Sequence, residues 1–295
     1  MLWNKFNKIG FDKQRKQKVK GFLFIIPSLI GTIIFILLPL LDVLRRSFLG
    51  AVNGRLAGFN NYFVIFKNEA YKLAIINTLK FTVISIPILL ILSLMIAVIL
   101  VNQDSYGHIL KSTFLLPMAV PVASVVLIWK ILFYKSGLVN SIFIYFGADK
   151  VDFMNTEYAF TILVISYIWK NIGYDILLWT AGLSGIPISY YEAAKVDGAT
   201  KLQCFIKITI PNLVPTMYMV SVLSVLNSLK VFREAYLISG NYPHKSIYMI
   251  QHLMNNWFRD LAIDKMSAAA VINTLAIFLC MFVFKKLQGK YNATY

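Results

Sequence analysis

Apolar runs long enough to cross a bilayer recur along this chain, and no other feature narrows its fold so far. A helix needs about 20 apolar residues to span the hydrocarbon core. Six segments suit that length: Gly21–Leu41, Asn77–Val101, Ser112–Tyr134, Tyr158–Leu183, Leu213–Phe232 and Ser267–Phe284. Hydrophobic residues make up 58% of the chain and charged ones only 14%, which excludes an ordinary soluble domain. Backbone polar groups in lipid must be satisfied within the chain, so the runs are read as helices and the fold class as all-α integral membrane. The first run is too long for a signal-peptide core and lacks a small-residue cleavage pattern after it, so it is read as retained. Six crossings put both termini on one side.

The formal net charge of +16 does not point to nucleic acid, because the basic residues lie in tails and loops between apolar runs. The tail 1–20 carries Lys5, Lys8, Lys13, Arg15, Lys16, Lys18 and Lys20 against the single acid Asp12. With Lys285, Lys286 and Lys290 after the last run, this places both termini in the cytoplasm. The expected organisation is a basic tail (1–20), one membrane domain (21–286) and a short tail (287–295). The outer loops are too short for a soluble domain; the FNNYFVIF run in the longest is expected to lie on the surface as an amphipathic helix or strand.

One cytoplasmic loop, 184–212, is polar and helically patterned between two apolar spans. Ser189 and Glu192 have the spacing of a capping box, which predicts a helix from Tyr190. Gly198 is placed to end it, and Thr200 with Gln203 repeats the capping spacing and starts a second short helix. Pro211 is expected to stop that helix. Paired alanines, Ala193 and Ala194, keep one face low enough for another protein to approach closely, while Glu192 either caps its helix or offers a charge to a basic partner.

Enzyme signatures are absent: there is no phosphate-cradling glycine loop, no HExxH and no GxSxG. His108, His244 and His252 have no metal-ligand spacing, and His244 and His252 are expected to face solvent. Cys204 and Cys280 read as buried free thiols. A transporter without a nucleotide site needs either an ion gradient or a separate ATPase.

The loop residues Glu192, Ala193, Ala194, Gly198, Ile208 and Pro211 resemble the EAA loop of ABC importer membrane subunits, with Ile210 where leucine is usual. AGLSGIP before it and Asp197-Gly198-Ala199 within it look like the carbohydrate branch that includes the maltose, glycerol-phosphate and multiple-sugar importers. The resemblance covers nearly the whole chain and implies the six-helix core of the larger, maltose-importer-F-like subunit in a bacterial inner membrane. It implies that the first short helix docks into a cytoplasmic ATPase, two copies of which bind ATP and magnesium, so that this chain holds no cofactor. The other implied partners are a second, homologous permease, an external sugar-binding protein, membrane lipid and an oligosaccharide.

Polar groups inside the fourth and fifth spans need a reason in lipid. Trp169, Lys170, Asn171, Tyr174 and Asp175 form a compact group in the fourth, and Ser224, Asn227 and Lys230 follow in the fifth. Aromatic rings stack on sugar C–H faces and amides bind hydroxyl pairs, so these residues are candidates for the substrate path. Interhelical hydrogen bonding is the other role open to the serines and Asn227. The three charges are costly in a membrane interior unless paired, and Asp175 is the expected partner of Lys230. After the fifth span the chain departs from the family: Arg233 and Glu234 stand where an aspartate is common. The alternatives are a gradient-driven secondary transporter, a membrane scaffold, or an ABC permease for a non-sugar solute.

Overall fold

The computed structural model describes residues 22–51, 54–101 and 107–292. The tail 1–20, with its run of lysines, lies outside the described residues. Within them, six helices are long and apolar enough to cross a membrane: Phe22–Arg46, Glu69–Val101, Val122–Tyr145, Tyr158–Ser184, Val214–Ser239 and Ile263–Lys286. The described residues contain no β-strand, only an isolated bridge between Leu49 and Leu56.

The chain divides into two compact units. The first comprises the described residues up to Ile65 together with Leu261–Ile272. The apolar stretch of its opening helix α1 (Phe22–Arg46) is not buried against protein, as suits a lipid-facing span. Ser28 and Thr32 return their hydroxyls to the carbonyls of Ile25 and Ser28, so neither leaves a polar group exposed to hydrocarbon. The surface segment FNNYFVIF forms helix α2 (Asn60–Lys67). Asn61 pins its start by donating to the carbonyls of Ser47 and Leu49, both at 2.9 Å, and the rings of Phe48, Phe59 and Tyr62 close over the turn.

The second unit holds the central bundle, residues 66–260 and 273 onward. Helices α3 (Glu69–Val101) and α7 (Tyr158–Ser184) form its main pair. One core cluster joins Phe81 and Leu89 to Ala159, Phe160, Leu163 and Tyr167, with Phe81 edge-on to both Phe160 and Tyr167. A second joins Ala97 and Leu100 to Ile176, Trp179, Leu213 and Val220. The Trp179 indole N–H donates to Ser93 Oγ at 3.0 Å, which satisfies the one polar atom this large side chain buries.

The third apolar run is not one helix. It splits into α4 (Gly107–Ala119) and α5 (Val122–Phe133), because Pro121 has no N–H to continue the ladder and pushes the preceding residue out of helical geometry. A short helix α6 (Leu138–Tyr145) follows and completes the spanning length. Helix α4 lies against α7 at Gly173, where a Cβ would stand 1.8 Å from the Phe114 carbonyl oxygen. The fifth span also runs further than its apolar residues suggest: α10 (Val214–Ser228) passes through a 3-10 turn at Leu229–Val231 into α11 (Phe232–Ser239). Helix α12 (Ile250–Arg259) follows, and α13 (Ile263–Asn292) continues well beyond the expected end of the last span at Phe284.

Candidate functional site

The polar loop folds as two short helices around a glycine bend. Helix α8 (Ile188–Val196) starts two residues earlier than the capping-box reading requires. Pro187, extended at φ −60 and ψ 131, occupies the cap position, and no side chain caps the helix. Ser189 therefore lies inside the helix, and Glu192 is left with its carboxylate exposed rather than folded onto the N-terminus.

The C-terminus of α8 is closed as expected. Gly198 adopts φ +77, a left-handed conformation that suits glycine, and its N–H reaches the Lys195 carbonyl at 3.1 Å. Ala199 N–H reaches the Ala194 carbonyl at 2.9 Å, completing a Schellman pair. The second capping box forms: Gln203 N–H donates to Thr200 Oγ1, and Thr200 N–H to Gln203 Oε1 at 2.8 Å.

Pro211 does not stop the second helix, α9 (residues 201–212). An α-turn at Lys201–Cys204 passes into a π turn at Phe205–Thr209, and helix resumes at Ile210–Asn212. Pro211 cannot donate to the Lys207 carbonyl and its ring crowds that oxygen, so the helix widens just before it. The Asn212 amide donates to the Ile208 carbonyl at 2.7 Å, adding a side-chain bond where backbone bonding is interrupted.

A cleft of about 410 Å³ opens between α8 and α9, bounded by Ala194, Asp197 and Ala199 on one side and Gln203, Cys204, Lys207 and Ile208 on the other. Around it the pair exposes large apolar side chains: Val196 is 88% accessible, Ile188 72% and Leu202 66%. Exposed apolar residues beside the free carboxylate of Glu192 form a surface suited to a protein partner. Cys204 and Cys280 are free and half-buried.

The candidate substrate residues fall into two groups. Trp169, Tyr174, Asn227 and Lys230 retain accessible surface; Trp169 is 37% exposed and edge-on to Trp129 of α5. Asn171 turns its amide onto the Tyr167 carbonyl of its own helix at 2.8 Å. Asp175 and Ser224 are buried and face one another across α7 and α10, the serine donating to the carboxyl at 3.0 Å. Tyr167 donates to the Ser224 carbonyl at 2.7 Å and extends this bridge between the helices.

The charge pairing differs from the expected one. Lys230 donates to Asn227 Oδ1 at 2.9 Å, while Asp175 takes its hydrogen bond from Ser224. The cation paired inside the bundle is Lys170, whose Nζ lies 3.0 Å from Glu234 Oε1. The apolar run of the fifth span ends at Phe232, which leaves Glu234 outside it in the sequence, whereas the helix continues through Ser239. The position of Glu234 four residues after Lys230, continuing the same helical course, was the available signal. Near it, His252 is wholly buried rather than solvent-facing; its Nδ1 accepts from the Met249 N–H at 3.1 Å. His244 is half-buried and also serves the backbone, accepting from the Ser246 N–H.

Residues 74–291 match the family profile described as binding-protein-dependent transport system inner membrane component. The chain is 29% identical over 283 residues to the trehalose/maltose transport system permease protein MalF of Thermococcus litoralis, covering 93% of this chain and 95% of that protein. It is 27% identical to the arabinooligosaccharides transport system permease protein AraP of Bacillus subtilis, covering 94% and 90%. The fold resembles a chain in the crystal structure of a bacterial ABC transporter involved in the import of the acidic polysaccharide alginate. The TM-score is 0.81 at 24% identity, with 94% of this chain and 98% of that one covered.

Proposed function

We propose a role that starts from the family: the chain belongs to the binding-protein-dependent transport system inner membrane components, and it serves as the membrane-spanning permease of an ATP-driven oligosaccharide importer. The observation that carries the coupling part is the pair α8 and α9, with an exposed Glu192, a Schellman bend at Gly198 and uncovered apolar side chains. A free polar-and-apolar surface of this kind suits the cleft of a partner ATPase, which supplies the nucleotide site. Glu192, Ala193, Ala194, Asp197, Gly198, Ile208 and Pro211 are the coupling residues in this reading.

The relatives' names support a sugar cargo, since the Thermococcus protein is named for trehalose and maltose and the Bacillus protein for arabinooligosaccharides. Trp169 and Tyr174 offer ring faces, and Asn227 with Lys230 offers hydrogen-bonding groups, which together suit a polyhydroxylated substrate. Asp175 with Ser224, and Lys170 with Glu234, act as cross-struts that hold the path's helices in place. A second permease completes the path, two ATPase subunits drive it, and an external binding protein delivers the sugar. ATP binding moves α8, the bundle alternates between inward and outward access, and hydrolysis resets it. The termini and the α8–α9 pair lie on the cytoplasmic side of the bacterial inner membrane.

The test is ATP hydrolysis by the reconstituted complex in the presence of its binding protein and a panel of neutral, amino and acidic saccharides. Stimulation by at least one oligosaccharide, lost with Glu192→Lys and with Gly198→Pro, is the expected result. Transport undiminished in both variants would sink the coupling role.

A further inference from the structure

Among the hydrogen bonds of the described residues, one joins α8 to α9. The helices splay around the cleft, and their covalent link passes through the Gly198 bend, where a left-handed glycine offers no side chain to stiffen the turn. A push on α8 would flex such a bend before it reached the membrane. At the far end from the bend, the Tyr191 hydroxyl lies 2.9 Å from Thr209 Oγ1, closing a separation of 18 residues. Thr209 is 5% exposed, and its Oγ1 also lies 3.5 Å from the Cys204 carbonyl.

Thr209 ends the π turn, so the width of that turn bears on where its hydroxyl stands. In Phe205–Thr209 the Ile210 N–H reaches back to the Phe205 carbonyl, one residue further than in an α-helix. Each added residue rotates the following side chains by about 100° around the helix axis. A regular α-turn would therefore carry Thr209 away from Tyr191. Pro211, which forbids the regular bond to Lys207, thus acts through the position of the threonine as well as on its own turn.

We propose that Tyr191 and Thr209 are positioning residues of the coupling loop: their hydroxyl contact closes helix, bend and helix into one rigid lever. Displacement of α8 is then delivered through Thr209 and Leu213 to α10, which carries Ser224 and Asn227. Leu213 N–H bonds the Thr209 carbonyl at 3.0 Å, so the threonine stands on the hydrogen-bonded route into that span. This inference rests on the importer reading above.

The experiment uses the assembled complex in proteoliposomes with its binding protein, and measures sugar imported per ATP hydrolysed for Tyr191→Phe, Thr209→Val and Thr209→Ser. Tyr191→Phe and Thr209→Val are each expected to lower that ratio about fivefold, as for one lost net hydrogen bond. The double variant should be no worse than either single, because both remove the same contact. Thr209→Ser keeps the hydroxyl and should retain the wild-type ratio. An unchanged ratio in Tyr191→Phe, or losses that add in the double variant, would overturn the lever while wild-type stimulation by the binding protein left the importer reading intact. Absence of that wild-type stimulation would overturn both.

Discussion

Lys170 Nζ and Glu234 Oε1 lie 3.0 Å apart, with side-chain exposures of 17% and 10%, and join α7 to α11 across the interior of the bundle. The pair cancels two charges that would each be costly alone in a membrane protein interior. Lys170 is thereby held in an ion pair, and Lys230 is left exposed between the two helical segments of the fifth span.

Breaking that pair should therefore damage the fold more than removing it. Lys170→Met or Glu234→Leu alone leaves an uncompensated charge and is expected to cost about 3–5 kcal/mol, whereas the double variant should recover most of the loss. Thermal unfolding of the purified complex in detergent, compared across the four proteins, checks the non-additivity.

Lys230 and Asn227 should govern cargo handling instead. Asn227→Ala removes the acceptor that holds Lys230 and one amide from the path, and is expected to reduce sugar uptake at low sugar concentration by about tenfold. Lys230→Met should change the ranking of acidic against neutral saccharides, and the Lys170→Met, Glu234→Leu double variant should not. Uptake assays over a saccharide panel separate the two lysines.

Gly173 is expected to tolerate no side chain. An alanine there would meet the backbone oxygen of Phe114 at 1.8 Å, and α4 would have to move off α7 at a cost of about 1–3 kcal/mol or more. At Gly182 the obstacle is the Thr216 side chain, with Oγ1 at 2.4 Å and Cγ2 at 2.8 Å, rather than backbone, so Gly182→Ala should be the milder change. Yield and unfolding temperature of the two alanine variants give the comparison directly.

Stability should fall on mild acidification because of His252. Burial holds its imidazole down to about 4, against an ordinary value of 6.5, with Nδ1 accepting from Met249 N–H and the rings of Phe232 and Tyr248 packed on it. The unfolded chain binds a proton below pH 6.5 that the folded chain refuses until about pH 4. The histidine's contribution is thus complete above pH 6.5 and declines through that window, by about 3 kcal/mol in all. Unfolding temperatures of wild type and His252→Gln between pH 7.5 and 4.5 should converge toward the acid end.

Much of this protein was determined by its sequence alone. Six apolar runs dictate spanning helices because a bilayer supplies no hydrogen bonds to the backbone, and the described residues contain six such helices. Gly198 and the Thr200–Gln203 box are local devices, complete within a few residues, and both form as read. Tertiary structure decided what depends on elements distant in sequence or on where a helix resumes after proline. Pro187 displaced the Ser189 cap, Pro121 divided the third run, and Pro211 widened a turn instead of ending it, because a proline's effect depends on whether flanking contacts repay the missing bond. The partner of Lys170 lies 64 residues away on a helix that continues past the apolar run of the fifth span, and Asp175 turns to Ser224. Charge pairing inside a bundle is set by depth and azimuth of whole helices, which spacing along one helix does not encode.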